Sequence, residues 1–141
     1  MMVAVIAVAR CEVRISERGH PSGMWDRLRL EQICRNLLSN AIRFGAGRPI
    51  EIQVAGDAEL ATLEVCDHGV GIPADHQARV FERFERGAGQ RSGGFGIGLW
   101  LVRNICAAMK GTVSIVSEPG EGACFTVTLP RRTERESLSA V

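Results

Sequence analysis

The longest stretch of helical periodicity runs from Trp25 to Phe44. Within it Leu30, Ile33, Leu37, Leu38 and Ala41 recur at the i, i+3, i+4, i+7 spacing of a core-facing stripe. Asp26 stands where an N-cap belongs. Asn36, Asn40 and Arg43 align as a polar stripe beside the apolar face. Elsewhere the period is two. Cys11 to Ser16 alternates, with Val13 and Ile15 on one face, and residues 1–10 read either as the end of a helix or as a first strand. Ile50, Ile52 and Val54 form a strand, Gly56-Asp57 a turn, and Leu63 and Val65 a second strand ending at Asp67. A helix is predicted over Asp75 to Glu85, with Val80, Phe81 and Phe84 inward. Six glycines between Gly87 and Gly98 precede a helix carrying Leu99, Val102, Ile105, Cys106 and Met109. Two further strands, Thr112 to Ser117 and Ala123 to Leu129, flank the turn Glu118-Pro119-Gly120-Glu121-Gly122. Interspersed helices and hairpins predict an α+β fold: a two-layer α/β sandwich with a mixed, mainly antiparallel sheet and helices on one face.

Composition narrows the partners. The chain has 141 residues, enough for one hydrophobic core, and its net charge of +1 gives no footprint for nucleic acid or for an anionic membrane. Met1 to Ala9 is apolar but too short to cross a bilayer and lacks the basic flank of a signal peptide. The expectation is one domain over residues 1–130, a disordered polar tail over 131–141, and a cytoplasmic location without membrane insertion. Five widely spaced cysteines (Cys11, Cys34, Cys66, Cys106, Cys124) show no metal-ligand spacing and sit in apolar-periodic segments. They read as buried free thiols in a reducing compartment.

Three segments carry chemistry. Asp67-His68-Gly69-Val70-Gly71 places a carboxylate at a strand end, followed by glycines that let the backbone approach a flat ring. Such a carboxylate accepts a directional hydrogen bond from an exocyclic amine; the plainer reading is a strand-ending turn. Gly94-Phe95-Gly96-Ile97-Gly98-Leu99 enters a helix, where unobstructed amides suit an anion, although a flexible glycine-rich entry is equally consistent. The spacing is neither that of a dinucleotide fold nor a Walker loop. Gly120-Glu121-Gly122 needs no ligand and reads as a plain hairpin turn.

In this order the segments resemble the ATP-binding catalytic domain of bacterial sensor histidine kinases, in the superfamily that includes gyrase and MutL. Asn36-x-x-x-Asn40 resembles the N box, Asp67-x-Gly69-x-Gly71 the G1 box and Phe81-Glu82-Arg83-Phe84 the F box. Gly94-x-Gly96-x-Gly98-Leu99 resembles the G2 box, and Gly120-x-Gly122 with Phe125 the G3 turn. The likeness spans roughly residues 11 to 130. It implies ATP and Mg²⁺ as ligands: Asn40 on the metal with Asn36 beside it, Arg43 facing the phosphates, and Phe44 near the base. It also implies Asp67 on the adenine amine, with Gly69, Gly71 and Ile72 around the ring. Residues from about Phe84 to Gly94 would form a lid, from which Arg86 or Arg91 reaches phosphate, and Gly94, Gly96, Ile97, Gly98 and Leu99 would surround the phosphates. Ala123 departs from the threonine common at that position.

Relatives that hydrolyse ATP or phosphorylate serine carry a glutamate where Asn36 stands. An amide has no proton-accepting state near neutral pH, so Asn36 argues for transfer rather than hydrolysis. Glu31 lies about 140° around the helix from Asn36 and is a poor substitute. The resemblance implies a phosphoacceptor histidine on a separate dimerising helical domain, supplied in trans or by a missing N-terminal region, and a response regulator downstream. His20 lies in a loop, His68 within the Asp67 turn and His76 near the start of a short helix, and none of them reads as such an acceptor. The alternatives are a nucleotide-binding module without transferase activity and an anti-sigma-type serine kinase, the latter disfavoured by Asn36.

Overall fold

The computed structural model describes residues 2–8, 11–82 and 96–131. Two strands open the chain, β1 (Met2–Val8) and β2 (Cys11–Gly19), paired antiparallel. Within the stretch left open between helix and strand, Met2–Val8 is thus an edge strand. Helix α1 (Arg27–Phe44) follows, and the strands β3 (Ile50–Gly56) and β4 (Leu60–Cys66) form a hairpin. After the short α2 (Ala74–Gln77) come α3 (Gly96–Ala108), β5 (Thr112–Ser117) and β6 (Ala123–Pro130). The six strands order as β1-β2-β3-β4-β6-β5. Among the described strands only β2 and β3 run parallel. A parallel pair needs a long crossover, and α1 supplies it.

Helix α1 begins where the cap chemistry says it should. Asp26 Oδ1 accepts the Leu28 and Arg29 amides at 2.9 and 3.2 Å, satisfying two of the orphan donors of the first turn. Asp26→Ala is expected to cost about 1 kcal/mol, read as a lower urea midpoint at unchanged slope. Ile33, Leu37 and Ala41 are buried, with Leu30 and Leu38 packed beside them. They meet Leu99, Val102, Ile105 and Cys106 of α3 over one face of the sheet. Burial pushes the Cys106 thiol up to about 11, so it stays protonated.

Strand register sorts the two faces cleanly. One row across the sheet reads Ile15, Ile52, Val65, Phe125, Ile115 and faces the helices. The adjacent row reads Arg14, Glu51, Cys66, Cys124, Val116 and faces away. The α+β sandwich with a mainly antiparallel sheet is therefore the fold the pattern predicts.

Two expectations need correction. The helix predicted over Asp75 to Glu85 is four residues long. Beyond Gln77 the chain tightens into turns closed by Arg79 N–H to His76 O and Glu82 N–H to Arg79 O. These i to i−3 bonds still deliver Val80 and Phe81 into the core, where Phe81 meets Phe125 edge-to-face at 6.0 Å. The cysteines are not all buried thiols. Cys66 and Cys124 form a disulfide across directly opposed positions of β4 and β6, and Cys34 is exposed; Cys11 and Cys106 are buried and free. A register set by residues 58 apart is invisible to spacing along the chain.

The chain beyond β6 is tied down at its first residue. Arg131 bonds through its backbone N–H to Glu59 and through its guanidinium to the carbonyls of Ser22 and Asp57. Trp25 Nε1 donates to Pro130 O at 2.8 Å, joining the start of α1 to the end of β6. Among the described residues no helix is long and apolar enough to cross a membrane.

Candidate functional site

A cleft of about 180 Å³ opens between the C-terminal half of α1 and the loop after β4. Asn40 and Phe44 line it from α1, and Asp67, Val70, Gly71, Ile72, Pro73, His76 and Ala123 complete the wall. An apolar cavity of about 150 Å³ accepts a benzene ring. The cleft therefore has room for a flat heterocycle at its base.

Among the described residues Asp67 is the one buried charged residue, 4% exposed. Its backbone N–H donates to Ala123 O, and its Oδ1 accepts the Gly69 N–H at 2.9 Å, the turn that the Asp-x-Gly spacing predicts. A carboxylate offers about four lone-pair sites, so these bonds leave acceptor capacity for a donor entering the cleft. Burial raises the Asp67 carboxyl above the usual carboxylate range, against the opposing pull of the Gly69 N–H, the Ala123 backbone and His68.

Glycine is required behind this carboxylate. A Cβ on Gly69 would sit 1.8 Å from Phe44 O, so the loop and the end of α1 touch backbone to backbone. Gly122 adopts φ +87°, and a Cβ there would sit 2.1 Å from Asp67 O. The turn read as needing no ligand thus has a structural reason for its glycine: it presses against the residue that holds the carboxylate.

On α1, Asn36 carries a buried Nδ2 with no hydrogen-bond partner among the described residues. Buried donors are rarely orphaned, and an oxygen-rich ligand would satisfy this one. Gly98 of α3 stands against it, its missing Cβ position 3.8 Å from Asn36 Oδ1. The stripe residue Asn40 lies on the cleft wall. Arg43 is exposed, its guanidinium 5.8 Å from the centroid of the Phe44 ring. Glu31 pairs with Arg27 on the exposed side of the helix.

The glycine-rich entry is reached in part. Gly96 and Ile97 lie in the first turn of α3, and Leu99 is buried in the core. Phe84, Arg86, Arg91 and Gly94 lie outside the described residues. The histidines separate: His76 lines the cleft, whereas His68 turns to Glu51, Nε2 to Oε1 3.1 Å.

Residues 25–133 match the family of histidine kinase-, DNA gyrase B-, and HSP90-like ATPases. The chain belongs to this family. It is similar to the sensor histidine kinase MtrB of Mycobacterium tuberculosis strain H37Rv, 40% identical over 108 residues that cover 74% of this chain and 19% of MtrB. It is likewise 40% identical over 114 residues to the adaptive-response sensory kinase SasA of Parasynechococcus marenigrum, covering 78% of this chain and 30% of SasA. The chain therefore spans well under half the length of these relatives. Among solved structures, full-length ShkA in complex with AMPPNP superposes with a TM-score of 0.71 at 30% identity, over 86% of this chain and 26% of that one. The catalytic domain of the histidine kinase ThkA shares the fold at a TM-score of 0.72 and 23% identity, over 84% of this chain and 79% of that one.

This histidine-kinase-type ATP-binding domain also holds its cleft with two residues that motif reading misses. Ser117 Oγ accepts the Ile72 N–H at 2.8 Å and donates to Gly122 O at 2.7 Å. Gln77 Nε2 donates to both Ile72 O and Ser117 O. The available signal was weak: a serine ending a strand and a glutamine in a short helix are ordinary polar positions. Ser117→Ala orphans a buried amide and is expected to cost about 1–3 kcal/mol, measured by thermal unfolding, with nucleotide affinity falling alongside.

Proposed function

We propose that this chain binds Mg-ATP in the Asp67 cleft and transfers the γ-phosphoryl group to a histidine on a separate helical domain. One observation carries the reading: a buried carboxylate with acceptor capacity to spare lies at the base of a ring-sized cleft, beside a buried amide on α1 that has no partner among the described residues. Asp67 Oδ2 accepts from the adenine amine, and Phe44, Val70 and Ile72 cover the ring. The amides of Asn36 and Asn40 meet the phosphate end, with Asn40 Oδ1 as the oxygen donor for Mg²⁺. When bound there, Mg²⁺ would supply charge neutralisation for the transferred phosphoryl group.

In the transfer, an imidazole nitrogen of the acceptor attacks the γ-phosphorus, the bond to the β–γ bridging oxygen breaks, and ADP leaves. The residues of this chain position the nucleotide rather than take a proton. Asn36 offers no base to activate water, which favours the imidazole as the nucleophile. Arg43 lies at the C-terminal end of α1, where it adds positive charge near the phosphates.

The test mixes the chain with γ-labelled Mg-ATP and a histidine-bearing acceptor domain. Acid-labile, base-stable label on the acceptor is expected, lost when its histidine is replaced. Tight ATP binding with no label on any acceptor histidine leaves the second reading, a nucleotide-binding module without transfer.

A further inference from the structure

The face of the sheet turned away from the helices carries a side-chain cluster that the nucleotide cleft does not use. Glu64, Cys66 and Cys124 each offer a ligand atom, and those atoms lie within 4.8 Å of one another. Glu64 precedes Cys66 by two residues on β4, so both side chains leave the same face; Cys124 lies directly opposite Cys66 on β6. Three residues from two strands are thus brought to one point by register alone. All three are half-buried. Thr126, opposite Glu64, donates its hydroxyl to Glu64 Oε2 at 3.4 Å and orients that carboxylate.

We infer that the reduced pair Cys66 and Cys124, with Glu64, forms a binding site for a thiophilic divalent cation of the zinc class, and that the disulfide is its closed state. The donor set decides the class. Two thiolates and one carboxylate favour zinc or cadmium over the hard cation magnesium, which takes oxygen ligands. A tetrahedral ion with bonds of roughly 2.0–2.3 Å sets its ligand atoms about 3.3–3.8 Å apart, leaving one position for water. The observed convergence lies within reach of that spacing through side-chain rotation. In the disulfide both sulfurs are bonded to each other and neither is a thiolate, so the ion has no ligands.

Opening and loading balance as two steps. A dithiol reductant attacks one sulfur of the bridge, the S–S bond breaks, and the reductant leaves as its own disulfide with Cys66 and Cys124 as thiols. The cation then displaces two thiol protons, which pass to solvent, and gains the Glu64 carboxylate.

The test uses the whole chain. Reduced, anaerobically desalted protein is titrated with Cd²⁺, and the sulfur-to-metal charge-transfer band is followed. In parallel, Zn²⁺ protection of each cysteine from alkylation is mapped by mass spectrometry. One equivalent is expected to saturate the band and to protect Cys66 and Cys124 together while the exposed Cys34 still reacts. Glu64→Gln, which keeps both thiols, is expected to weaken binding by at least tenfold, and the oxidised protein is expected to show no band. Protection of Cys34 alone, a Cd²⁺ affinity unchanged by Glu64→Gln, or equal binding by oxidised protein overturns the inference. So does reduction that abolishes the β-sheet signature in circular dichroism, because the ligand set exists only in the β4–β6 register.

Discussion

Asn40→Ala is expected to abolish phosphoryl transfer and to remove the magnesium dependence of ATP binding. Asn40 lines the cleft from the last turns of α1, where its carbonyl oxygen is a hard donor of the kind magnesium takes. Charge stabilisation by a bound ion is worth several kcal/mol, so the loss is expected to exceed about a hundredfold. Alanine is the best helix former, and Asn40 is only half-buried, so α1 stays intact. Calorimetric titration with ATP, with and without Mg²⁺, checks this. Wild-type affinity rises on adding the ion and the variant's does not. A variant with the wild-type magnesium response removes Asn40 from the metal site.

The second large effect falls on Asp67. Asp67→Ala deletes the acceptor for the adenine amine and is expected to weaken ATP binding by ~1.5–3 kcal/mol, the scale of a hydrogen bond to a charged group. The same change narrows the preference for ATP over GTP, because guanine presents an acceptor where adenine presents a donor. The pH dependence follows from the raised carboxyl. As pH falls through that raised value the acceptor protonates, so affinity for ATP declines at a higher pH than an exposed carboxylate would give. Stability moves the other way. The folded state holds the proton more tightly than the unfolded chain, so the group contributes most below its unfolded value. Stability is lost as pH rises through the folded one. Asp67→Asn is expected to flatten this limb in acid-range unfolding curves. Unchanged ATP affinity in the alanine variant would count against the adenine assignment.

Periodicity made most of the fold legible. The stripe from Leu30 to Ala41 and the alternation in β3 and β6 each follow from burying one face, and each element forms where the pattern puts it. The helix after Asp75 was overextended because Val80 and Phe81 satisfy a helical period while being delivered by tight turns. Tertiary packing against Phe125, rather than local propensity, fixes that segment. At the cleft, Asp67, Asn40 and the glycines announced themselves through chemistry at short spacing. Ser117 and Gln77 did not, since their role rests on bonds 45 and 40 residues distant. The free-thiol reading of Cys66 and Cys124 failed for the same reason: no local pattern encodes which strands become neighbours.

The backbone contact between Gly122 and Asp67 has a consequence for how the chain assembles. Residues 67–72 cannot settle until Ser117 and Gly122 arrive, and these lie late in the sequence. During synthesis β2 and β3 have their strand partners before Ser117 is made, whereas β4 still lacks β6 and the cleft lacks Ser117 and Gly122. A nascent chain stopped before residue 117 would carry Asn36 and Asn40 yet have no base for a purine to rest on. Nucleotide capture therefore reports completion of the whole fold, and a folding assay read by ATP binding would lag one read by helix content.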